Sequence, residues 1–153
     1  MDLDYIYTDG RNEDFKMLCR ELDNYLNKIA GGEESRKEYI KYNYLYEIKN
    51  VIVIYQNEEA IGCASFRHYK DKVAELKRVF IKKKYRGKGY SKILMNLIEK
   101  YAVDEGYEKL ILETGAPLIE AMSLYAKIGY KTIENYEPYE NIKESICMEK
   151  NIL

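Results

Sequence analysis

Glu75-Leu-Lys-Arg-Val-Phe-Ile-Lys-Lys-Lys-Tyr-Arg-Gly-Lys-Gly-Tyr-Ser91 reads as a strand, a basic glycine-containing loop and the start of a helix. The strand half carries Ala74, Leu76, Val79, Phe80 and Ile81, interrupted by Glu75, Lys77 and Arg78. A strand between a meander and a parallel partner should be apolar on both faces. Charged residues there predict that part of the sheet opens into a cleft. The plainer reading is that Glu75 and Lys77 meet cross-strand partners near a strand end. Strict alternation puts Glu75, Lys77 and Val79 on one side.

The loop half runs Tyr85-Arg-Gly-Lys-Gly-Tyr-Ser91. Strand, glycine loop and helix together gather free backbone N–H groups and a positive helix end, the equipment for holding a phosphate. Gly87 and Gly89 permit backbone angles that other residues resist, and Arg86 and Lys88 add charge. The spacing fits neither a nucleotide P-loop, which needs Gly-Lys-Ser/Thr, nor the three-glycine dinucleotide fingerprint. Taken alone, Arg86 to Gly89 serves equally well as a solvated basic turn.

Outward from this stretch the periodicities alternate between strand and helix. Leu3 to Thr8 is a weak first strand. Phe15, Leu18, Cys19, Leu22, Leu26 and Ile29 form one face of a helix that Gly31-Gly32 stops. Glu33 to Tyr44 predicts a shorter second helix. Val51 to Tyr55, four β-branched residues and a tyrosine, predicts a strand buried on both faces. Ala60 to Tyr69 and Val73 to Ile81 complete a meander, with turns at Gln56 to Glu59 and Lys70 to Lys72. Helical spacing returns from Ser91 to Glu105 and from Leu118 to Ile128, closed by Gly106 and Gly129. Strands at Lys109 to Thr114, Tyr130 to Ile133 and Glu144 to Lys150 finish the chain. The pattern predicts one α/β domain over residues 1–153, a mixed sheet of about six to seven strands flanked by helices.

Composition narrows the chemistry. The chain has 153 residues, a net charge of −1 and one histidine, His68. A single histidine, at a strand end, disfavours a Ser-His-Asp or Cys-His nucleophile system and a histidine-rich metal site; no metal is expected. Cys19, Cys63 and Cys147 are an odd number in apolar settings, which reads as reduced, buried thiols in a cytoplasmic protein. No apolar run reaches the length of a membrane span, and the acidic N-terminus lacks signal-peptide character. Near-neutral charge points away from nucleic acid. The local run Lys82, Lys83, Lys84, Arg86 and Lys88 suits a small anionic ligand better. Seventeen tyrosines supply many phenols that can donate a proton.

Glu75 to Ile81, Tyr85 to Gly89, Leu112-Glu-Thr-Gly115, Ala121-x-x-Leu-Tyr125 and Gly129-Tyr130 together are similar to the core of the GNAT family of N-acetyltransferases. The resemblance runs in register from about Val51 to Lys150. The family pattern Arg/Gln-x-x-Gly-x-Gly/Ala falls on Arg86, Gly89 and Ser91. Ser91 replaces the usual glycine or alanine, and Leu118 stands where many members have an asparagine beside the pantetheine arm.

The resemblance implies a sheet whose central parallel strands splay, with acetyl-CoA as cosubstrate lying in the V between them. It implies that backbone groups of Val79, Phe80 and Ile81 meet the acetyl and pantetheine portions, the Val79 N–H facing the oxyanion. N–H groups of Arg86, Gly87, Lys88, Gly89, Tyr90 and Ser91 hold the pyrophosphate. The reaction implied is direct attack of a primary amine of a small molecule, peptide or protein in a ternary complex. An alkyl ammonium with a pKa of about 10.4 must first lose a proton. Glu75 is the candidate base through water, or else a structural ion pair with Lys77 or Arg78; Glu113 is a second candidate. Tyr125 matches the acid that protonates the departing thiolate, or else is a core tyrosine on an apolar stripe. Tyr136 and Tyr139 fall where acceptor-contacting loops occur. The resemblance allows a homodimer, for which the sequence carries no interface signature. Two other readings compete: a non-catalytic domain that binds coenzyme A to sense it, and a nucleic-acid module using Lys82 to Lys88.

Overall fold

Residues 3–30, 45–115 and 118–153 are described by the computed structural model. The second helix expected from Glu33 to Tyr44, and the Gly31-Gly32 stop before it, lie outside these residues. β1 (Leu3–Thr8) leads to α1 (Glu13–Ala30), and β2 (Asn50–Gln56), β3 (Glu59–Lys70) and β4 (Val73–Ile81) form the meander. α2 (Tyr90–Asp104), β5 (Lys109–Gly115), α3 (Ile119–Lys127), β6 (Lys131–Ile133) and β7 (Ser145–Asn151) follow. The seven strands among the described residues lie in the order β1-β2-β3-β4-β5-β7-β6, and β4 and β5 are a parallel pair at the centre.

The β-branched run in β2 is buried on both faces, as its composition predicts. Val51 and Val53 pack with Phe15, Leu18, Cys19 and Leu22 of α1. Ile52 and Ile54 join Leu94, Met95 and Ile98 of α2 on the opposite face. Val51 through Ile54 are all 0% exposed, and each such side chain stabilises the fold by about 1.5–3 kcal/mol. α1 starts where Asn12 Oδ1 accepts the Phe15 N–H at 2.9 Å, with Glu13 and Asp14 against the positive end of the helix. α3 closes at Gly129, where the Tyr130 N–H reaches the Tyr125 carbonyl at 2.9 Å. A third, small core of Tyr139, Ile142 and Cys147 lies beneath the segment joining β6 to β7.

Candidate active site

The site begins where the central pair parts. β4 and β5 pair only at Val73↔Lys109, Ala74↔Leu110 and Glu75↔Ile111. Beyond these, the edge of β4 from Leu76 to Ile81 and that of β5 from Leu112 to Gly115 have no backbone partner in each other. The cleft expected from the charged strand is present, and it opens one residue after Glu75.

One expectation about that strand is overturned. Val79 does not share a side with Glu75 and Lys77. Arg78 takes a φ of +56° and the pairing with β3 skips there, Ser65 facing Lys77 and Cys63 facing Phe80. This β-bulge adds one residue and re-aims those after it. Val79 therefore packs into the α2 side of the core. The bulge is pinned by long-range contacts: Arg78 Nη1 lies 2.6 Å from Asp23 Oδ1 on α1, and the Cys63 thiol donates to the Arg78 carbonyl at 3.3 Å.

After β4, a 3₁₀ turn at Lys83–Tyr85 leads into the glycine loop. Gly87 and Gly89 have φ of +76° and +84°, and a Cβ built on either would meet nothing within 4 Å. The glycines are thus required by backbone angle, with open space above them. α2 has no side-chain cap at its N-terminus. Among the described residues, the N–H groups of Gly87, Lys88, Gly89 and Ser91 have no partner. Four outward donors at a positive helix end make an anion receptor.

The side chains around the loop divide their work. Arg86 turns back, its Nε donating to the Ile81 carbonyl at 2.8 Å and its guanidinium lying over Tyr25 and Phe80. Its own N–H is engaged with the Lys83 carbonyl at 3.2 Å. Tyr90 is buried at the first helical position, one residue earlier than the expected start, and its hydroxyl accepts from Gln56. Glu59 gathers Tyr85, Lys82 and Lys84 at 2.6, 3.4 and 3.6 Å. Lys83 and Lys88 make no ion pair among the described residues.

Tyr125 lies on α3 in the main core, 8% exposed, with its ring edge-on to Tyr130 at 5.7 Å. Burial pushes its phenol well above the ordinary tyrosine range. Its hydroxyl has no hydrogen-bond partner among the described residues. Leu118 occupies the position before α3 and is partly buried.

Glu75 has the opposite surroundings. It is 1% exposed, and both its oxygens are engaged: Oε1 by Arg67 Nε at 3.1 Å and Oε2 by the Tyr136 hydroxyl at 2.8 Å. Lys77 Nζ stands 4.0 Å from Oε1 and donates to the Tyr139 hydroxyl at 3.0 Å. Burial holds the Lys77 ammonium below the usual lysine range, with Arg67 and Arg78 adding to the depression and Glu75 and Glu113 opposing it. Tyr136 and Tyr139 are pushed far up, by burial first and the Glu75 charge second. Glu113 sits on the same face and accepts from the Ser145 hydroxyl at 2.8 Å.

The ion pair foreseen for Glu75 exists, but its nearest cation is Arg67 rather than Lys77 or Arg78. The signal was available: the turn at Lys70 to Lys72 sets a hairpin register that faces Arg67 to Glu75. His68 is exposed and meets the Tyr107 hydroxyl at 3.1 Å, away from this cluster. Cys19, Cys63 and Cys147 are buried free thiols. No helix among the described residues is long and apolar enough to cross a membrane, and none of their His, Cys, Asp and Glu side chains form a group that could hold a metal.

Set against known proteins, the profile of the Acetyltransferase (GNAT) family matches residues 16–130. The chain belongs to that family. Within it, the parted strands, the glycine loop and α3 described above fall inside the matched span, apart from the last part of the sheet. A putative acyl-CoA N-acyltransferase from Klebsiella pneumoniae superposes with a TM-score of 0.82 at 24% identity, covering 99% of this chain and 98% of that one. The PaiA N-acetyltransferase of Thermoplasma acidophilum, solved in complex with coenzyme A, superposes with a TM-score of 0.75 at 20% identity over 99% of both chains. Both place this chain in the GNAT fold. Human N-acetyltransferase 8 is 34% identical over 62 residues, and that match spans 40% of this chain and 27% of the human protein.

Proposed function

We propose that this GNAT protein transfers the acetyl group of acetyl-CoA to a primary amine, with both substrates bound together. The observation that carries the proposal is the joint geometry of the cleft. β4 and β5 part after Glu75↔Ile111, and the gap leads to free N–H groups at Gly87, Lys88, Gly89 and Ser91. A long thioester with a pyrophosphate at one end fits that layout: an extended arm between two open strand edges and two phosphates at a helix N-terminus. The coenzyme A bound by the Thermoplasma PaiA protein on the same fold supports this placement.

Each residue then has a defined task. Backbone groups of Val79 and Ile81 face the acetyl and pantetheine portions across the open edge of β4. Those of Phe80, expected there as well, turn toward Cys63 of β3, because successive residues of a strand address opposite edges. Val79 N–H donates to the carbonyl oxygen as it gains charge. The backbone from Gly87 to Ser91 holds the pyrophosphate, while Arg86 braces the loop through Ile81 and Lys88 adds charge. The Tyr90 side chain is committed to the core, so its contribution is its backbone at the helix start.

Tyr125, a phenol held protonated by burial, gives its proton to the thiolate as the carbon–sulfur bond breaks. Glu75 receives the proton of the attacking amine through water, its carboxylate fixed by Arg67 and Tyr136. Glu113 is the alternative base on the same face. The amine belongs to a small molecule, a peptide or a protein.

A panel of primary amines, assayed for release of free thiol from acetyl-CoA, tests the proposal. Amine-dependent release supports it. Coenzyme A stabilisation without release by any amine would instead favour a coenzyme A sensor. No stabilisation by millimolar coenzyme A would remove the cofactor assignment itself.

A further inference from the structure

Past Glu75 and Ile111 no backbone hydrogen bond joins β4 to β5. On the face turned away from α2 and α3, side chains span the gap instead. Residues 134–144 leave β6 and return into β7, the antiparallel neighbour of β5. On the way they reach back over β4. The Tyr136 hydroxyl donates to Glu75 Oε2 at 2.8 Å, and Lys77 Nζ donates to the Tyr139 hydroxyl at 3.0 Å.

These contacts involve Glu75, the last paired position on that face of β4, and Lys77, the next one along it. The far end of the loop is also fixed. Ser145 donates to Glu113 Oε2 at 2.8 Å, and the Asn135 amide nitrogen lies 3.3, 3.3 and 3.1 Å from the carbonyls of Tyr139, Ile142 and Ser145. Tyr136 and Tyr139 pack edge to face at 5.6 Å, and Tyr139 is 1% exposed.

This arrangement keeps a lysine and a glutamate buried where apolar residues would cost less. Such departures from local economy concentrate at functional sites. The rings alone would fill the space; the hydroxyls add directed bonds between β4 and the β5–β7 pair.

We propose that Tyr136 and Tyr139 are positioning residues, a two-phenol strut that sets the width of the gap in which thioester and amine meet. The proposal rests on the acetyl-transfer reading and adds to it a means of holding the open strands at a fixed separation. Cofactor affinity resides mainly in the loop and helix end, away from the strut. Loss of the strut therefore lowers turnover more than coenzyme A binding, because a displacement of about 1 Å at the reacting atoms costs on the order of 100-fold in rate.

The test replaces both residues, Tyr136→Phe with Tyr139→Phe, which keeps the rings and removes the hydroxyls. Turnover is followed as thiol release from acetyl-CoA with the fastest amine of the panel, and coenzyme A affinity by calorimetry. Amide hydrogen exchange is read on peptides spanning Leu76 to Ile81 and Leu112 to Gly115. The strut predicts a fall in kcat of roughly 10- to 100-fold, coenzyme A affinity within about twofold of wild type, and faster exchange in both strand halves. Unchanged kcat per folded molecule, or a lower kcat with unchanged exchange in those halves, overturns it. Wild-type protein that fails to bind coenzyme A removes the acetyl-transfer reading, and the strut with it, before any variant is compared. Should the double variant fail to fold, Tyr139→Phe alone carries the same comparison, with the same two outcomes deciding against the strut.

Discussion

The two ends of the cleft are built in opposite ways. At the loop end the backbone donors of Gly87, Lys88, Gly89 and Ser91 have no partner among the described residues, at the start of a helix without a side-chain cap and with open space over two glycines. The phenol of Tyr125 likewise has no hydrogen-bond partner among the described residues. On the opposite face of β4, the polar groups are already bonded to one another: Glu75 to Arg67 and Tyr136, Lys77 to Tyr139, Glu113 to Ser145. Exposed donors clustered at the positive end of a helix suit a ligand that arrives with its own negative charge. A saturated network signals a surface prepared in advance, against which a partner is positioned. Under the acetyl-transfer proposal, this difference corresponds to an anionic cosubstrate at one end and an amine at the other.

The sharpest way to break this contrast is to damage the open end. Gly89→Glu forces a side chain onto a φ of +84°, a strain of about 1–2 kcal/mol, and sets a carboxylate against the pyrophosphate. Coenzyme A affinity, measured by calorimetry, should fall roughly 100- to 1000-fold. An unaffected affinity would move the phosphate site elsewhere. Tyr125→Phe should lower kcat roughly 100-fold, as expected for loss of a general acid, and leave coenzyme A binding intact. Retained turnover would return Tyr125 to the role of a core tyrosine.

At the saturated end, stability responds as well as rate. Glu75→Gln leaves Arg67 and Lys77 without their carboxylate. Urea denaturation should register a loss of about 2 kcal/mol, less than for a fully buried pair because Arg67 keeps contact with water. An unchanged midpoint would show that the network contributes nothing to folding. Lys77 gives the smallest effect, and its sign is fixed. Its folded pKa is held below the ordinary value of about 10.4. Between those two values the unfolded chain binds more protons, so stability rises with pH, by at most about 1.4 kcal/mol per unit. Lys77→Met should flatten that rise as pH approaches the ordinary lysine value of about 10.4 from below. Equal slopes in the two proteins would contradict the buried-ammonium account.

Much of this contrast is legible in the residues themselves, unevenly. The β-branched run at Val51 to Ile54, the helical stripe of α2 and the glycine loop are local patterns, and local patterns fix local structure. Charges within an otherwise apolar β4 pointed to the cleft for the same reason. The bulge at Arg78 is different. Nothing in Lys77-Arg-Val79 marks a residue with positive φ, a conformation that arginine rarely adopts. It is held by Asp23 and Cys63, distant in sequence, and it reversed the side on which Val79 was expected. The gathering of Lys82, Lys84 and Tyr85 by Glu59 is equally non-local. Arg67 opposite Glu75 lies between these cases, because a short turn carries register information that alternation alone does not use.

The most direct measurement is amide hydrogen exchange on the wild-type protein with and without coenzyme A. Coenzyme A should slow exchange from Gly87 through Ile93 and along Leu76 to Ile81, and leave residues 134–144 close to their already protected free state. Protection confined to residues 134–144, or none anywhere at millimolar coenzyme A, would contradict the division of the cleft into an open cofactor end and a preassembled acceptor face.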